Sequence, residues 1–441
     1  MNNPQKIYRL LEKTIAKIEE SKEFYVENPE KDFTRNRKLP MSEVIRTMLA
    51  MHGGSLNKEL YLRSVQMGET LTASAFVQQR AKIRLEAFVD MIRIFNTYCK
   101  DRKTYRGYRL YAVDGSDINV YRNPDTDSYI TTKSHPEGHN LLHLNALYDL
   151  LNHTYTDCTI KAKHHTNERK ELYRMLERNT FDQKSIVITD RGYDGYNTIA
   201  HFLNTPNVHF LCRIQTKNTW RPLKKFPEGT LDEDISIEIT TSQSKEDKRK
   251  GRIFLKSYGK SKRVEKPKNN GASVWDFPSP YPMKFRAVRF QLDSGEYETL
   301  VTSLPRDEFS LEDLKKLYHM RWGIETSFRS LKYAVGLVNL HCKKEHFAYQ
   351  EIYAAILMYN FYERVASYAV VKGKQSKEHL YQVNYTMAFT ICKEYFKNRR
   401  SFSTIIGDML RYILPIRPDR ADPRKAGHQK NFIAFTYRVA A

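Results

Sequence analysis

The chain has 441 residues, with 73 Lys and Arg against 51 Asp and Glu, a formal net charge of +22. That excess favours a polyanionic partner, nucleic acid before an anionic membrane, and 29 Tyr with 22 Phe add rings that can stack on bases. No apolar run approaches the length of a membrane span. Five dispersed cysteines without a Cys-x-x-Cys pair argue against a disulfide framework or a zinc cluster and fit a reducing cytosol.

Residues 1–105 read as a helical DNA-binding domain. Ile7, Leu10, Leu11, Ile15 and Ile18 recur at helical spacing in a charged background, unlike a signal peptide. A basic patch at Thr34–Lys38 leads to a helix over Ser42–Met51 and a second over Leu56–Val65. Ser74 is expected to cap a third, Ala75–Leu85. That third helix carries Gln78, Gln79, Arg80, Lys82 and Arg84. Helix, short turn, polar-basic helix is the outline of a helix-turn-helix DNA reader, with Arg80 and Lys82 as candidate contacts. Any helical bundle shares this outline.

Residues 106–213 change pattern. β runs at Arg109–Val113, Leu141–Asp149 and Thr154–Ala162 precede a helix at Asn167–Arg178. A buried strand at Ser185–Thr189, a helix at Tyr196–Leu203 and a strand at Val208–Arg213 follow. This order defines an α/β domain on a mixed sheet. Residues 214–296 read as a β-rich insertion with strands at Ile235–Thr240, Arg252–Tyr258 and Phe285–Leu292. Within it, Ser244–Lys268 holds eleven Lys or Arg against three acids, either a cationic face or, around Ser261–Gly271, a solvated linker. Residues 297–345 return to the core through a strand at Tyr297–Leu304 and a helix capped by Ser310. Residues 346–441 read as helical, with a core helix around Ile352–Tyr359 and a Pro-broken basic tail, Arg417–Lys425.

The helix after Ser310 carries two stripes. At about 100° per residue, Tyr318, Arg321, Glu325 and Lys332 fall within an arc of roughly 60°. Leu317, Ile324, Phe328 and Leu331 form an apolar arc beside it. One carboxylate among a phenol and two cations suits a metal ligand that meets a polyanion; an Arg321–Glu325 pair on a solvated face is the plainer alternative. Asp114 and Asp190 each follow a β run, where ligand sites gather in open α/β sheets. On neighbouring strands they would converge, and Glu325 could complete a set of oxygen ligands for two Mg²⁺, with Mn²⁺ as a substitute. A single Asp after a strand is more often a cap or turn former, and Asp117 and Asp194 compete for the same roles. His143, His164 and His165 lie on or after a strand without metal-ligand spacing, and no zinc site is read there.

Asp114-Gly-Ser, Thr189-Asp-Arg-Gly-Tyr193 and Tyr318-x₂-Arg321-x₃-Glu325-x₆-Lys332 together resemble the DDE transposases of bacterial insertion sequences. The last string matches the YREK signature of the IS-four group at every spacing. The resemblance spans Asp114 to Lys332; the first hundred residues share only a general style. It implies an RNase H-like α/β catalytic core interrupted by a β-rich insertion, with helical N- and C-terminal regions. It also implies metal-dependent cleavage of transposon ends and joining to target DNA, by a homodimer on double-stranded DNA in the bacterial cytoplasm. Asp114, Asp190 and Glu325 would be the catalytic metal ligands, and Tyr318, Arg321 and Lys332 would hold DNA phosphates. Some members of the family flip a base from the stack, for which Trp220 and Trp275 are candidate platforms, with Trp322 a third. A catalytically silent DNA-binding or repressor derivative and a non-transposing nuclease of the same fold are the competing readings.

Overall fold

A computed structural model describes residues 3–35, 39–51, 53–100, 102–133, 135–215, 220–255, 275–370 and 380–416. The solvated-linker segment Ser261–Gly271, the tail Arg417–Lys425 and most of the basic patch before Leu39 lie outside the described residues.

Five helices open the chain: α1 (Asn3–Glu20), α2 (Met41–Ala50), α3 (Leu56–Met67), α4 (Ala73–Arg80) and α5 (Leu85–Tyr98). The cap of α4 is Thr72, whose hydroxyl accepts from Ala75 N–H, rather than Ser74. The helix stops at Arg80, so Leu85 begins α5 instead of ending α4.

The sheet strands follow: β1 (Arg109–Val120), β2 (Tyr129–Thr132), β3 (His135–Asp149) and β4 (Thr154–Ala162), then α6 (Glu168–Arg178), β5 (Ser185–Thr189), α7 (Tyr196–Leu203) and β6 (Val208–Arg213). β1, β3 and β4 form an antiparallel meander, and β5 and β6 run parallel to β1. The resulting order β4-β3-β1-β5-β6 is the strand order of an RNase H-like core. β5 is buried at all five positions because helices or strands cover both of its faces, which is why it reads as an unbroken apolar run.

β7 (Leu231–Thr240), α8 (Lys245–Arg249), β8 (Ile253–Phe254), β9 (Tyr281–Gln291) and β10 (Tyr297–Thr302) come next. They continue the same sheet. β10 lies antiparallel to β6, and β9, β7 and β8 extend outward from it, giving ten strands in all among the described residues.

The chain closes with α9 (Leu311–Met320), α10 (Trp322–Tyr333), α11 (Glu345–Ala366), β11 (Leu380–Val383), α12 (Tyr385–Lys397), α13 (Ile405–Leu410) and β12 (Ile413–Ile416). Strand periodicity divides the sheet between two cores. Leu110, Ala112, Ile186 and Ile188 face one that also holds α1, α2, α5 and α9–α13. Tyr111, Val113, Val187 and Phe210 face the other, with α6, α7 and the inner face of β7 and β9.

α11 is buried almost all round and is the post on which the first core is built. Its polar residues are partnered. Asn360 accepts from Tyr155 N–H at 2.8 Å and donates to Tyr155 O at 2.8 Å, finishing the end of β4 as a strand would. The Tyr148 and Tyr359 hydroxyls meet at 2.9 Å across the helix–sheet boundary.

Candidate active site

Two strands and one helix assemble the site. The parallel register pairs Val113 with Thr189, and the β1–β5 ladder stops there. Asp114 and Asp190 therefore stand side by side, one residue past the last pair. Each shares the parity of its apolar predecessor, Ala112 or Ile188, so both side chains leave the sheet on the face of the first core. β1 continues to Val120 through its pairing with β3, so Asp114 ends the parallel ladder but not its strand.

α10 delivers Glu325 to that face. Leu317, Ile324, Phe328 and Leu331 are all buried in the first core, as the apolar arc requires. Ser327 Oγ meets Tyr155 Oη at 2.9 Å and ties the helix to β4. The expected single helix is two. Arg321 N–H donates to Tyr318 O and Ile324 N–H to Arg321 O, a tight turn between α9 and α10. The chain is crowded at this point: a Cβ on Gly323 would lie 3.0 Å from Leu150 Cδ2 at the end of β3.

Arg321 holds the acids apart and in place. Its Nη2 donates to Glu325 Oε1 at 2.8 Å, and its Nη1 lies 3.7 Å from Asp114 Oδ2. Asp114 Oδ1 accepts from Gly115 N–H, and Asp190 Oδ1 from Gly192 N–H, each at 2.8 Å. Asp190 thus caps the turn that follows it, while Asp114 stays within its strand, and each aspartate uses one oxygen for its backbone bond. Burial pushes the Asp114 carboxyl up to about 6; the Asp190 and Glu325 carboxylates push the same way, against the Gly115 N–H and Arg321. The three acids offer oxygen donors only, the type a hard divalent cation takes, and as a trio they stand wider than 4.8 Å apart.

Of the flanking cations, Arg321 is buried and Lys332 half-buried. Tyr318 is buried and carries the Arg321 guanidinium 5.9 Å from its ring centroid. Burial raises its phenol to about 12. Burial also lowers the Lys332 pKa, and Asp117 opposes that shift.

Asp117 and Asp194 are occupied elsewhere. Asp194 accepts from Trp220 Nε1 at 2.5 Å and Gln215 N–H at 2.9 Å. Asp117 faces the opposite side of β1 and belongs to a group that sequence spacing did not reveal. His143 Nδ1 bonds Asp117, its Nε2 lies 3.1 Å from Glu168, and Lys163 Nζ stands 2.9 Å from Asp117. His143 is directly across from Asp117 in the β1–β3 register, which is the signal that could have found it. The group lies against Gly115, where a Cβ would come within 2.3 Å of His143 Nε2. Tyr193 is fully buried nearby, its phenol raised by burial and then by Asp114, Glu168 and Asp190.

Two expected DNA contacts point inward. Arg80 is 2% exposed; it donates to Gln350 Oε1, Glu351 Oε1 and Phe347 O of α11. A guanidinium so enclosed is a structural tie and presents nothing to a phosphate. Trp220 is 2% exposed and packs between Tyr196 and Phe285 in the second core. Trp275 is half-buried against Phe277 and Tyr281. Lys82 is half-exposed and 3.6 Å from Asp32. Trp322 is 39% exposed, with Arg321 over its ring.

The sheet has the strand order of an RNase H-like core, with two aspartates past its parallel ladder and a glutamate on the covering helix. Residues 105–361 match a family profile described as "Transposase DDE domain", and the chain belongs to that family. Over 75 residues it is 38% identical to the putative transposase InsL for insertion sequence element IS186A of Escherichia coli (strain K12), covering 17% of this chain and 20% of the relative. The transposase for insertion sequence element IS421 of Escherichia coli matches with the same identity and coverage. The chain spans about a fifth of the length of the curated relatives it matches. A solved piggyBac transposase in a synaptic complex with hairpin DNA aligns at 10% identity and a TM-score of 0.47, over 96% of this chain and 87% of that one. Among the described residues no helix is long and apolar enough to cross a membrane.

Proposed function

We propose that the chain is a DNA transposase that binds the terminal inverted repeats of its own insertion sequence, cleaves them and joins them to target DNA. The observation that carries this is the convergence of Asp114, Asp190 and Glu325 on one face of the sheet, two from a strand register and one from α10.

Asp114, Asp190 and Glu325 would hold two Mg²⁺, or Mn²⁺ in their place. Bound there, the ions would activate a water or 3′-hydroxyl for in-line attack on phosphorus and stabilise the leaving oxygen. The protein's own part is positioning and charge. Arg321 is paired with Glu325 and lies 3.7 Å from Asp114, so a phosphate drawn to the acids through the ions would meet its guanidinium. Lys332, about two turns beyond Glu325 on α10, offers a second cation to the same strand of DNA. Tyr318 backs Arg321. The +22 charge supplies the sequence-independent part of DNA affinity. Synapsis of two ends makes a homodimer on DNA the expected assembly. The division into an N-terminal DNA-binding region, a core, an insertion and a C-terminal helical region belongs to the same proposal.

Purified protein with Mg²⁺ and DNA carrying the element's own ends tests the reading. Cleavage is expected, followed by joining of 3′ ends into a target plasmid. Glu325→Gln should bind the ends and not cut them; full cutting by that variant removes Glu325 from the mechanism. Cutting without joining identifies a nuclease, and binding without cutting by the wild type identifies a silent DNA-binding derivative.

A further inference from the structure

Away from the acidic centre, Asp127, His164 and His165 bring three ligand atoms within 4.8 Å of one another. No other trio of His, Cys, Asp or Glu side chains among the described residues is gathered so closely. Sequence spacing hides it, because the carboxylate comes from the loop before β2 and the imidazoles from the turn after β4. His165 Nε2 lies 2.9 Å from Asp127 Oδ1, and His164 Nε2 lies 3.7 Å from the same oxygen. The two rings are 4.0 Å apart and tilted by 47°. Both therefore present the same nitrogen toward one point.

The backbone on each side is tied down. Thr166 N–H donates to Lys163 O at 3.1 Å and Thr166 Oγ1 to Ala162 O at 3.2 Å, closing the turn that carries the two histidines. On the other side the Asn140 side chain donates to Asn123 O, Thr126 Oγ1 and Ser128 Oγ, and accepts from Asn123 N–H. Asp127 sits between two residues so held. A ligand set on pinned backbone loses little conformational freedom when it closes on an ion.

We propose that Asp127, His164 and His165 form a second metal site, for one borderline divalent ion of the Zn²⁺ class. Two imidazoles with one carboxylate suit Zn²⁺, Ni²⁺ or Cu²⁺; Mg²⁺ prefers an all-oxygen shell. All three residues are exposed, so a fourth position faces solvent. An ion there clamps the turn after β4 to the loop before β2 at the outer edge of the sheet. It acts without Asp114, Asp190 or Glu325, and so stands or falls apart from the transposase reading.

The test is Zn²⁺ titration of the full chain without DNA, followed by calorimetry and by the shift in thermal midpoint. The wild type and Glu325→Gln are expected to take up one Zn²⁺ each, unaffected by millimolar Mg²⁺. His164→Ala/His165→Ala and Asp127→Asn should bind that ion about tenfold more weakly or worse and lose the thermal shift, with circular dichroism unchanged. Cu²⁺ in the wild type should show nitrogen hyperfine splitting by electron paramagnetic resonance, lost in the double variant. Unchanged uptake by the double variant, displacement by Mg²⁺, or no uptake by the wild type would each overturn the proposal.

Discussion

Arg321 donates through Nη2 to Glu325 Oε1 at 2.8 Å, and this pair sets the charge at the centre of the proposed site. The guanidinium offsets carboxylates that would otherwise repel, and it competes with a divalent cation for them. Arg321→Gln should therefore lower the Mg²⁺ concentration needed for half-maximal cleavage, because the competing cation is gone. The rate at saturation should fall by about 100-fold, because the phosphate loses its fork of donors. A Mg²⁺ titration of end cleavage separates the two effects; an unchanged maximal rate would place Arg321 outside catalysis.

Arg80 and Glu351 make the N-terminal helices and α11 one body. Arg80, with His341, holds the buried Glu351 carboxyl well below its ordinary value. Removing the guanidinium strands that charge. Arg80→Ala should cost about 3–5 kcal/mol in urea unfolding, and Arg80→Met with Glu351→Gln should recover much of it. A stable Arg80→Ala protein with weakened DNA binding would instead restore the contact role read from the sequence.

Gly115 has no room for a side chain. Its Cβ would meet the His143 imidazole at 2.3 Å and Glu168 Oε1 at 3.2 Å. Because Gly115 follows Asp114 directly, Gly115→Ala should move the aspartate as well as the imidazole. The expected result is a loss of end cleavage with end binding retained in a gel-shift assay. Gly115→Ala combined with His143→Ala relieves the clash and should regain part of the activity.

Glu363 sits in the wall of α11, where burial pushes its carboxyl up to about 8. It folds as the neutral acid. Its contribution is complete below the unfolded value of about 4.5 and declines as pH rises to about 8, above which a charge is buried. The difference amounts to roughly 5 kcal/mol. Glu363→Gln should leave the thermal midpoint near pH 5 almost unchanged and raise it above the wild type at pH 9. Equal midpoints at pH 9 would contradict the shift.

The acids were legible in the sequence because strand chemistry is local. A run such as Ser185–Thr189 can only be a buried strand, and the residue that follows it is placed by parity. Helix caps backed by their own side chains, such as Ser310 with Asp313, were legible for the same reason. Partners chosen by tertiary packing were not. Arg80 looked like an exposed cation on a polar helix until α11 supplied Gln350 and Glu351 from the far end of the chain. Trp220 looked available until Tyr196 and Phe285 closed on it. The turn at Arg321 left no mark, since its φ of −51° and ψ of −34° are helical and the break lies in its bonding.

The chain leaves the core after β6 and returns as β10, and these strands are immediate neighbours, with Ile214 N–H bonded to Thr299 O at 3.0 Å. Everything between those residues is a cassette hung from two adjacent points. Its β7 and β9 share the second core with Tyr111, Val113 and Val187, so a cassette of another length has to keep that face of β1 and β5 covered. With a two-residue turn in its place, β6 and β10 would still close as a hairpin. The segment that widens the sheet can therefore diverge at its outer edge, around β8, while the inner faces of β7 and β9 stay matched to the strands they cover.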